Sequence, residues 1–215
     1  MSASRVLRVS EHGVDAVARA AAEALGAGEL VVMPTDTVYG LAASLRHGAA
    51  ISEIFRAKQR PVDMPLPVLV ASIAEAERLA VGELEAHEEL LRRWWPGALT
   101  VIVEAAPQIP SEVTAGGPTV GLREPDSEVA RAILHAAGGS AAVTSANLSG
   151  DPPATEVSDL PDELLRHVGL VIDGGQCPGG TASTVLDLSC TPPRVLREGP
   201  VGVDELRRLL PDLET

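Results

Sequence analysis

Apolar residues in this chain recur at helical spacing in some stretches and stand together in short runs in others. A helix is predicted over 14–25, where glycines follow a set of apolar residues with that spacing: Val14, Val17, Ala18, Ala21 and Leu25. The same pattern predicts helices over 49–57, 73–79, 83–94, 129–136 and 203–210. Ser72 and Glu75 have the spacing of a capping box at the start of the helix over 73–79.

Short apolar runs rich in β-branched residues predict strands between these helices. They cover 30–33, 68–70, 99–103, 119–122, 141–144, 170–172, 183–188 and 194–196. Because strands and helices interleave, the predicted fold class is α/β, with an open, twisted, mixed sheet and flanking helices. We expect one domain over 1–215, with its core at about 10–200.

Polar turns follow three of the predicted strands, after Met33, after Thr144 and after Ile172. Ligands of open α/β sheets bind at strand ends, so we expect these turns to converge on one crevice. The last turn leads into a glycine-rich segment over 174–180, whose backbone amides are candidates for contact with an anion.

Charge and aromatic content argue against a dedicated RNA-binding module. The formal net charge of -13 opposes loose binding to phosphate backbones. The four aromatic residues are too few for a base-stacking platform: Tyr39, Phe55, Trp94 and Trp95. Residues 1–11 contain no continuous apolar run, so we expect a cytoplasmic protein without a membrane span.

The cysteine and histidine content predicts neither disulfides nor a transition-metal site. A chain of this length does not depend on disulfides, so Cys177 and Cys190 are expected to be free thiols. The histidines lack the close spacing of a zinc site, since they are scattered singly: His12, His47, His87, His135 and His167.

Four cationic residues lie at or just beyond the ends of predicted elements: Lys58, Arg60, Arg123 and Arg197. Lys58 is the only lysine of the chain, either by chance or because a compact ammonium is needed beside a phosphate. Together the four indicate a polyanionic ligand, most simply a nucleoside triphosphate. Taken singly, each arginine is equally well explained as a surface charge or a salt-bridge partner.

The segment 144–150 places hydroxyl and amide side chains just past a strand end, where they suit ribose, phosphate or amide contacts, or simply cap a turn. A nucleophilic Ser145 is disfavoured because no G-x-S-x-G elbow is present. The chain also lacks a G-x-x-x-x-G-K-[ST] loop and a G-x-G-x-x-G turn after the first strand, so ATP would be bound in another way.

Several segments together resemble one known family. The string Pro-Thr-Asp-Thr-Val-Tyr-Gly-Leu over 34–41 resembles the opening signature of the YrdC family, and 58–66 resembles its K-x-R-P and P-L segment. Further blocks follow in family order, over 95–100, 120–125, 144–150, 173–175, 183–185 and 197–199. The chain is therefore identified as a member of the YrdC family, and we expect it to be the single-domain form.

The resemblance implies a threonylcarbamoyl-AMP synthase, a nucleotidyltransferase of tRNA modification. It implies an open α/β fold around a large concave groove, with ATP, L-threonine and bicarbonate as ligands. Mg2+ is expected with the ATP, and no tightly bound organic cofactor is expected. The product is expected to pass to a downstream threonylcarbamoyl transferase complex, with tRNA contacted indirectly or weakly through the cationic groove. Three alternatives remain open: an RNA-binding module of the same fold without turnover, a related carbamoyl-adenylating protein, and a structural or regulatory protein that retains the fold without turnover.

The resemblance also implies roles for individual residues. Lys58 and Arg60 match the K-x-R positions, which are expected to be catalytic and to bind ATP. Further ATP-binding positions are Thr144, Ser145, Asn147 and Arg197, and the threonine-binding positions are Thr35, Arg123 and Ser183. Many relatives have a histidine shortly after the P-L pair, where this chain has Leu69. Changing Lys58 to Ala is expected to depress turnover and to leave the thermal midpoint nearly unchanged.

Overall fold

The computed structural model describes residues 4–82 and 84–215, and these residues form one ten-stranded sheet flanked by helices. The strands are β1 (Arg5–Arg8), β2 (Leu30–Met33), β3 (Gly40–Ala43), β4 (Val68–Val70), β5 (Leu99–Glu104), β6 (Thr119–Arg123), β7 (Ser140–Ser145), β8 (Val168–Asp173), β9 (Thr184–Asp187) and β10 (Arg194–Arg197). They lie in the order β1-β8-β2-β3-β7-β4-β6-β5-β9-β10. Parallel and antiparallel pairs both occur, as in β4–β6 and β4–β7, so the sheet is mixed, as predicted.

The helices lie between the strands along the chain. They are α1 (Val9–His12), α2 (Val14–Gly26), α3 (Gly48–Lys58), α4 (Ile73–Glu77), α5 (Glu88–Trp94), α6 (Ser111–Thr114), α7 (Glu128–Ala136), α8 (Asp162–Leu165) and α9 (Val203–Leu206). Short 3-10 turns cover Glu85–His87 and Val157–Asp159. Ser72 caps α4 by accepting a hydrogen bond from the Glu75 N–H. No helix among these described residues is long and apolar enough to cross a membrane.

The predicted elements are present, with differences at a few places. Strands β1 and β3 were not predicted, because β1 is an edge strand with mostly exposed side chains and β3 opens on Gly40 within a polar string. The helix predicted over 203–210 ends at Leu206, so its second half is wrong. The predicted start of the helix over 83–94 lies outside the described residues, and the rest of it is a 3-10 turn followed by α5.

The two faces of the sheet are covered to different extents. One face packs into a large apolar cluster with α3, α5 and the C-terminal part of the chain. The opposite face is covered by α2 and α7, whose buried side chains pack on β2, β3, β4, β7 and β8. Among the described residues, that second cluster contains none from β5, β6 or β9. On this side of the sheet the cover formed by α2 and α7 therefore ends at β4, and we call the part beyond β4 the open face.

The open face is defined by Thr100, Ile102, Gly121, Arg123 and Val185. Strand pairing sets Ile102 opposite Gly121 and Thr100 opposite Val185, while the alternate residues Val101 and Leu122 pair within the large cluster. Ile102, Gly121 and Val185 are only half-buried. The sheet thus leaves room for a ligand at the edge of the helical cover.

Candidate active site

A pocket of about 180 Å³ lies where the open face meets the helical cover. It is lined by residues of β3, β7, β4, β6 and β5, by the turn after β2 and by the segment before β9. Distant parts of the chain therefore meet here. The segments after Met33 and at Thr144 line the pocket as predicted, whereas no residue of 173–180 is in its lining. The lining includes these residues expected from the sequence: Thr35, Arg60, Arg123, Thr144, Ser145, Ser183 and Arg197.

Arg123 is the most firmly held cation of the pocket. It ends β6, is 6% exposed, and donates from Nε to the Gly97 carbonyl at 2.8 Å, from Nη1 to Thr37 Oγ1 at 3.0 Å and from Nη2 to Asp36 Oδ1 at 2.6 Å. Burial lowers the pKa of Arg123, and the carboxylate of Asp36 opposes that shift. Three N–H groups are engaged, so two remain for a ligand such as a carboxylate.

Thr35 organises the turn that brings Asp36 and Thr37 against Arg123. Its Oγ1 accepts hydrogen bonds from the N–H groups of Thr37 at 3.1 Å and Val38 at 3.2 Å, and donates to the Val38 carbonyl at 2.7 Å. A hydroxyl that closes its own turn in this way fixes the backbone on either side of it. Thr35 therefore shapes the pocket in addition to lining it.

The glycine-rich segment after β8 packs against the same turn. A Cβ on Gly179 would lie 2.7 Å from the Asp36 carbonyl oxygen and 3.0 Å from Thr37 Cα, so only glycine allows this approach. The Gly180 N–H donates to the Thr37 carbonyl at 2.8 Å. The suggestion that amides of this segment contact an anion is corrected for Gly180, because its N–H is used by the protein's own turn.

Arg197, at the end of β10, also lines the pocket. Its Nε and Nη2 donate to the Ser183 carbonyl at 3.0 and 2.8 Å, and the hydroxyls of Ser183 and Thr100 lie 2.8 Å apart. Burial lowers the pKa of Arg197, and the charge of Arg123 lowers it further. The repulsion between these two guanidiniums would be relieved by an anionic ligand.

Arg60 supplies the third guanidinium. Its Nη2 donates to the Pro65 carbonyl at 2.9 Å, whereas its Nε is buried and has no hydrogen-bond partner among the residues that the structure describes. Burial also lowers the pKa of Arg60. A buried, charged donor without an acceptor is costly, so this site favours an arriving anion.

Lys58, at the end of α3, does not line the pocket. It is 2% exposed, and its Nζ donates to the carbonyls of Ser145 at 2.6 Å and Asn147 at 2.7 Å, with Asn147 Oδ1 at 3.2 Å. All three ammonium protons thus have acceptors within the chain. Burial lowers the pKa of Lys58 to about 8, and the charge of Arg60 contributes.

Two expectations from the sequence change as a result. Lys58 and Asn147 form a buried clip behind Ser145, whereas the other predicted residues line the pocket. Asn147 is further occupied because its Nδ2 donates to the carbonyls of Leu148 and Asp151. For Lys58→Ala, the contacts replace the expectation of an unchanged thermal midpoint by that of a lowered one, because the substitution would leave buried carbonyls without a donor.

Sequence reasoning missed three residues that position the pocket. Asp36 was read only as part of a motif, although its carboxylate holds Arg123. Thr100 was read as a strand residue, although its hydroxyl meets Ser183. The buried Tyr39 accepts from the Gly174 N–H and donates to the Gly175 carbonyl, which ties the segment after β8 to β3. Asp36 could have been suspected, since it is the carboxylate of the polar turn that follows a buried strand.

Two larger depressions adjoin this pocket. Arg60 also lines one of about 530 Å³ with Phe55 and Glu112, and Arg197 also lines one of about 720 Å³ with Glu198 and Arg207. Neither is lined by the three guanidiniums of Arg60, Arg123 and Arg197 together, as the smaller pocket is. No cluster of His, Cys, Asp and Glu able to hold a metal is present in the described ranges 4–82 and 84–215. Cys177 and Cys190 are free thiols.

A comparison with known sequences gives the same family as the motifs that line this pocket. The sequence model of the Sua5/YciO/YrdC family, described as telomere recombination, matches residues 23–199. The chain belongs to this family. A relative in Mycobacterium tuberculosis is 40% identical over 187 residues, which are 87% of this chain and 86% of that protein. The threonylcarbamoyl-AMP synthase of Bacillus subtilis is 38% identical over 191 residues, which are 88% of this chain and 55% of that protein.

A solved structure of the family agrees closely with this fold. The Pyrococcus abyssi Sua5 structure complexed with L-threonine has a TM-score of 0.89 and 34% sequence identity, and the match covers 99% of this chain and 62% of that one. The chain thus spans somewhat less than two thirds of that longer relative. The α/β fold with an open, twisted, mixed sheet is thereby confirmed.

Proposed function

We propose that this chain is an L-threonylcarbamoyladenylate synthase, which converts L-threonine, bicarbonate and ATP into threonylcarbamoyl-AMP and pyrophosphate. The observation that carries the proposal is Arg123, a buried guanidinium with two N–H groups left over in a pocket lined by two further guanidiniums. The names of the relatives support it, since the B. subtilis protein is a threonylcarbamoyl-AMP synthase and the P. abyssi structure contains L-threonine.

The pocket suits a small amino acid better than a whole nucleotide. Its volume of about 180 Å³ lies below the roughly 300–1,000 Å³ of typical ligand pockets. Threonine binds there with its carboxylate on Arg123, and ATP extends from the pocket over the uncovered open face. Arg60 and Arg197, at either side, neutralise the phosphates that enter the pocket.

This placement decides which group of threonine reacts. A carboxylate held by Arg123 is unavailable as a nucleophile, so the amine reacts first. The amine nitrogen forms a bond to the carbon of carbon dioxide derived from bicarbonate and loses a proton, which gives an N-carboxylate. An oxygen of that N-carboxylate attacks the α-phosphorus, and the bond from this phosphorus to the pyrophosphate oxygen breaks. The residues position the two anions and neutralise charge, and no protein nucleophile takes part.

Magnesium is proposed to enter with the nucleotide. No Asp or Glu is among the described residues that line the pocket, so phosphate oxygens and water would provide its ligands. The chemistry that the ion supplies is further neutralisation of the phosphates. Lys58 acts in this proposal through Ser145, because the buried clip fixes the Ser145 backbone at the pocket.

The product would be consumed by a separate transferase that modifies a tRNA adenosine in the cytoplasm. The labile mixed anhydride must reach that enzyme before water hydrolyses it. With a net charge of -13, this chain is expected to contact tRNA weakly or only indirectly through its cationic groove.

Pyrophosphate release tests the proposal. We expect release that requires ATP, L-threonine and bicarbonate together and that falls to background when any one is omitted. Release that does not depend on threonine in a folded sample would overturn the assignment. In parallel, RNA binding measured across a salt series is expected to be weak, whereas tight, steeply salt-dependent binding without turnover would favour an RNA-binding module.

A further inference from the structure

Leu69 lies directly beside Arg123 on the sheet. The parallel strands β4 and β6 pair Leu69 with Arg123 in register, and both residues line the same pocket. Neighbouring strands are about 4.8 Å apart, and residues in register point to the same face. An amino acid whose carboxylate rests on Arg123 therefore has its side chain within reach of Leu69.

Val143 extends the same apolar surface on the next strand, β7. Val143 and Leu69 are each 5% exposed, line the pocket and belong to the same apolar cluster. Val143 also fills the space over Gly40, since a Cβ at Gly40 would lie 2.6 Å from Val143 Cγ1. We call Leu69 and Val143 the apolar wall of the pocket.

Polar groups line the rest of the pocket, and one of them, Arg123, lies beside Leu69. Arg123 is held by Asp36 and Thr37, and the hydroxyls of Thr100 and Ser183 meet beyond it. An amino acid bound between these groups and the apolar wall would meet two chemically different surfaces. Such a pocket distinguishes the two substituents on the β-carbon of threonine, a methyl group and a hydroxyl group.

We propose that Leu69 and Val143 are specificity-determining residues that bind the methyl group of L-threonine and so select threonine over serine and over allo-threonine. The inference rests on the proposed function. Serine lacks the methyl group and leaves the apolar wall uncovered. Allo-threonine, with its substituents exchanged, would turn its hydroxyl toward the apolar wall, where it finds no partner.

The expected discrimination follows from the size of the group. One methyl or methylene group in an apolar pocket changes kcat/KM by roughly 10–200-fold. We therefore expect the native protein to prefer threonine to serine by a factor in that range. Leu69→Ala and Val143→Ala are each expected to reduce the ratio of the two kcat/KM values by about tenfold.

The experiment measures kcat/KM for L-threonine, L-serine and L-allo-threonine by pyrophosphate release. Val70→Ala is the matched control, because Val70 lies on the same strand as Leu69, is fully buried in the large cluster on the other face and does not line the pocket. The ratio of kcat/KM values for two substrates does not depend on the folded fraction of a sample. A loss of stability in any variant therefore leaves the comparison valid.

The expected result is a reduced threonine-to-serine ratio in Leu69→Ala and Val143→Ala and an unchanged ratio in Val70→Ala. An unchanged ratio in both pocket variants, or an equal reduction in Val70→Ala, would overturn the inference. Absence of threonine turnover by the native protein is a different result, since it contradicts the proposed function itself.

Discussion

Lys58 and Asn147 are joined twice, because the lysine Nζ lies 2.7 Å from the backbone carbonyl oxygen of Asn147 and 3.2 Å from its side-chain Oδ1. With the Ser145 carbonyl at 2.6 Å, these contacts occupy the whole ammonium group. The only lysine of the chain thus fastens α3 to the end of β7, where Ser145 lines the pocket, and to the turn that follows the strand.

Lys58→Ala is expected to lower both stability and turnover. It would leave buried carbonyls unpaired, at a cost of about 1–3 kcal/mol, which corresponds to several degrees in Tm for a chain of this size. Thermal unfolding and pyrophosphate release measure the two effects. Arg60→Ala is the matched control, because Arg60 lines the pocket and is less buried, so turnover should fall with a smaller change in Tm. Equal Tm values for Lys58→Ala and the native protein would contradict the claim that the contacts of Lys58 stabilise the fold.

The pH dependence of stability offers a second test of Lys58. The pKa of Lys58 is about 8 in the folded protein, and the ordinary value of 10.5 applies to the unfolded chain. Between about pH 8 and pH 10.5 the unfolded chain therefore binds more protons than the folded protein. The free energy of unfolding of the native protein should therefore rise, relative to that of Lys58→Met, as the pH increases from about 8 to 10.5. The expected gain is on the order of 3 kcal/mol. Urea unfolding at a series of pH values measures this gain. The same pH dependence in the native protein and in Lys58→Met would contradict a lowered pKa of Lys58.

Asp36→Asn is expected to weaken threonine binding selectively. The substitution replaces a charge-assisted hydrogen bond to Arg123 by a weaker one, so the guanidinium is held less firmly. We expect the KM for threonine to rise about tenfold with little change in the KM for ATP. Asp126→Asn is the control, since Asp126 is 64% exposed and pairs with Arg131 on the surface. An equal rise in both KM values would argue against a role confined to Arg123.

Gly40→Ala is expected to destabilise the protein by about 1–3 kcal/mol, because the added Cβ would lie 2.6 Å from Val143 Cγ1. The second substitution Val143→Ala removes that atom and should restore part of the loss. Urea unfolding of the two single variants and the double variant gives the coupling energy. Strict additivity would show that Gly40 is required for another reason.

Most strands and the helices α2, α3, α4, α5, α7 and α9 could be predicted because their apolar spacing is local. The four-residue helices α1, α6 and α8 were not predicted. Strand β3 could not, because its burial arises from neighbours on both sides, β2 and β7, rather than from its own pattern. Edge strand β1 was missed because its side chains are mostly exposed and its pairing partner β8 is distant in sequence.

The position of the pocket could be predicted from strand ends and motifs, but the roles of individual residues could not be predicted. From the sequence, Lys58 is expected to bind a phosphate. In the structure, its hydrogen-bond acceptors are backbone carbonyls 87 and 89 residues away in the chain. Asp36 binds Arg123 across 87 residues. Contacts of this kind depend on the tertiary fold, and nothing in the local sequence distinguishes a buried clip from a ligand-binding cation.

The most direct measurement is the mass of the adenylate formed from ATP, L-threonine and 13C-labelled bicarbonate. With the threonine carboxylate held by Arg123, the predicted product is threonylcarbamoyl-AMP that contains one carbon from bicarbonate. Formation of threonyl-AMP, which has no added carbon and no label, would mean that the carboxylate itself had attacked the α-phosphorus and would contradict the assignment.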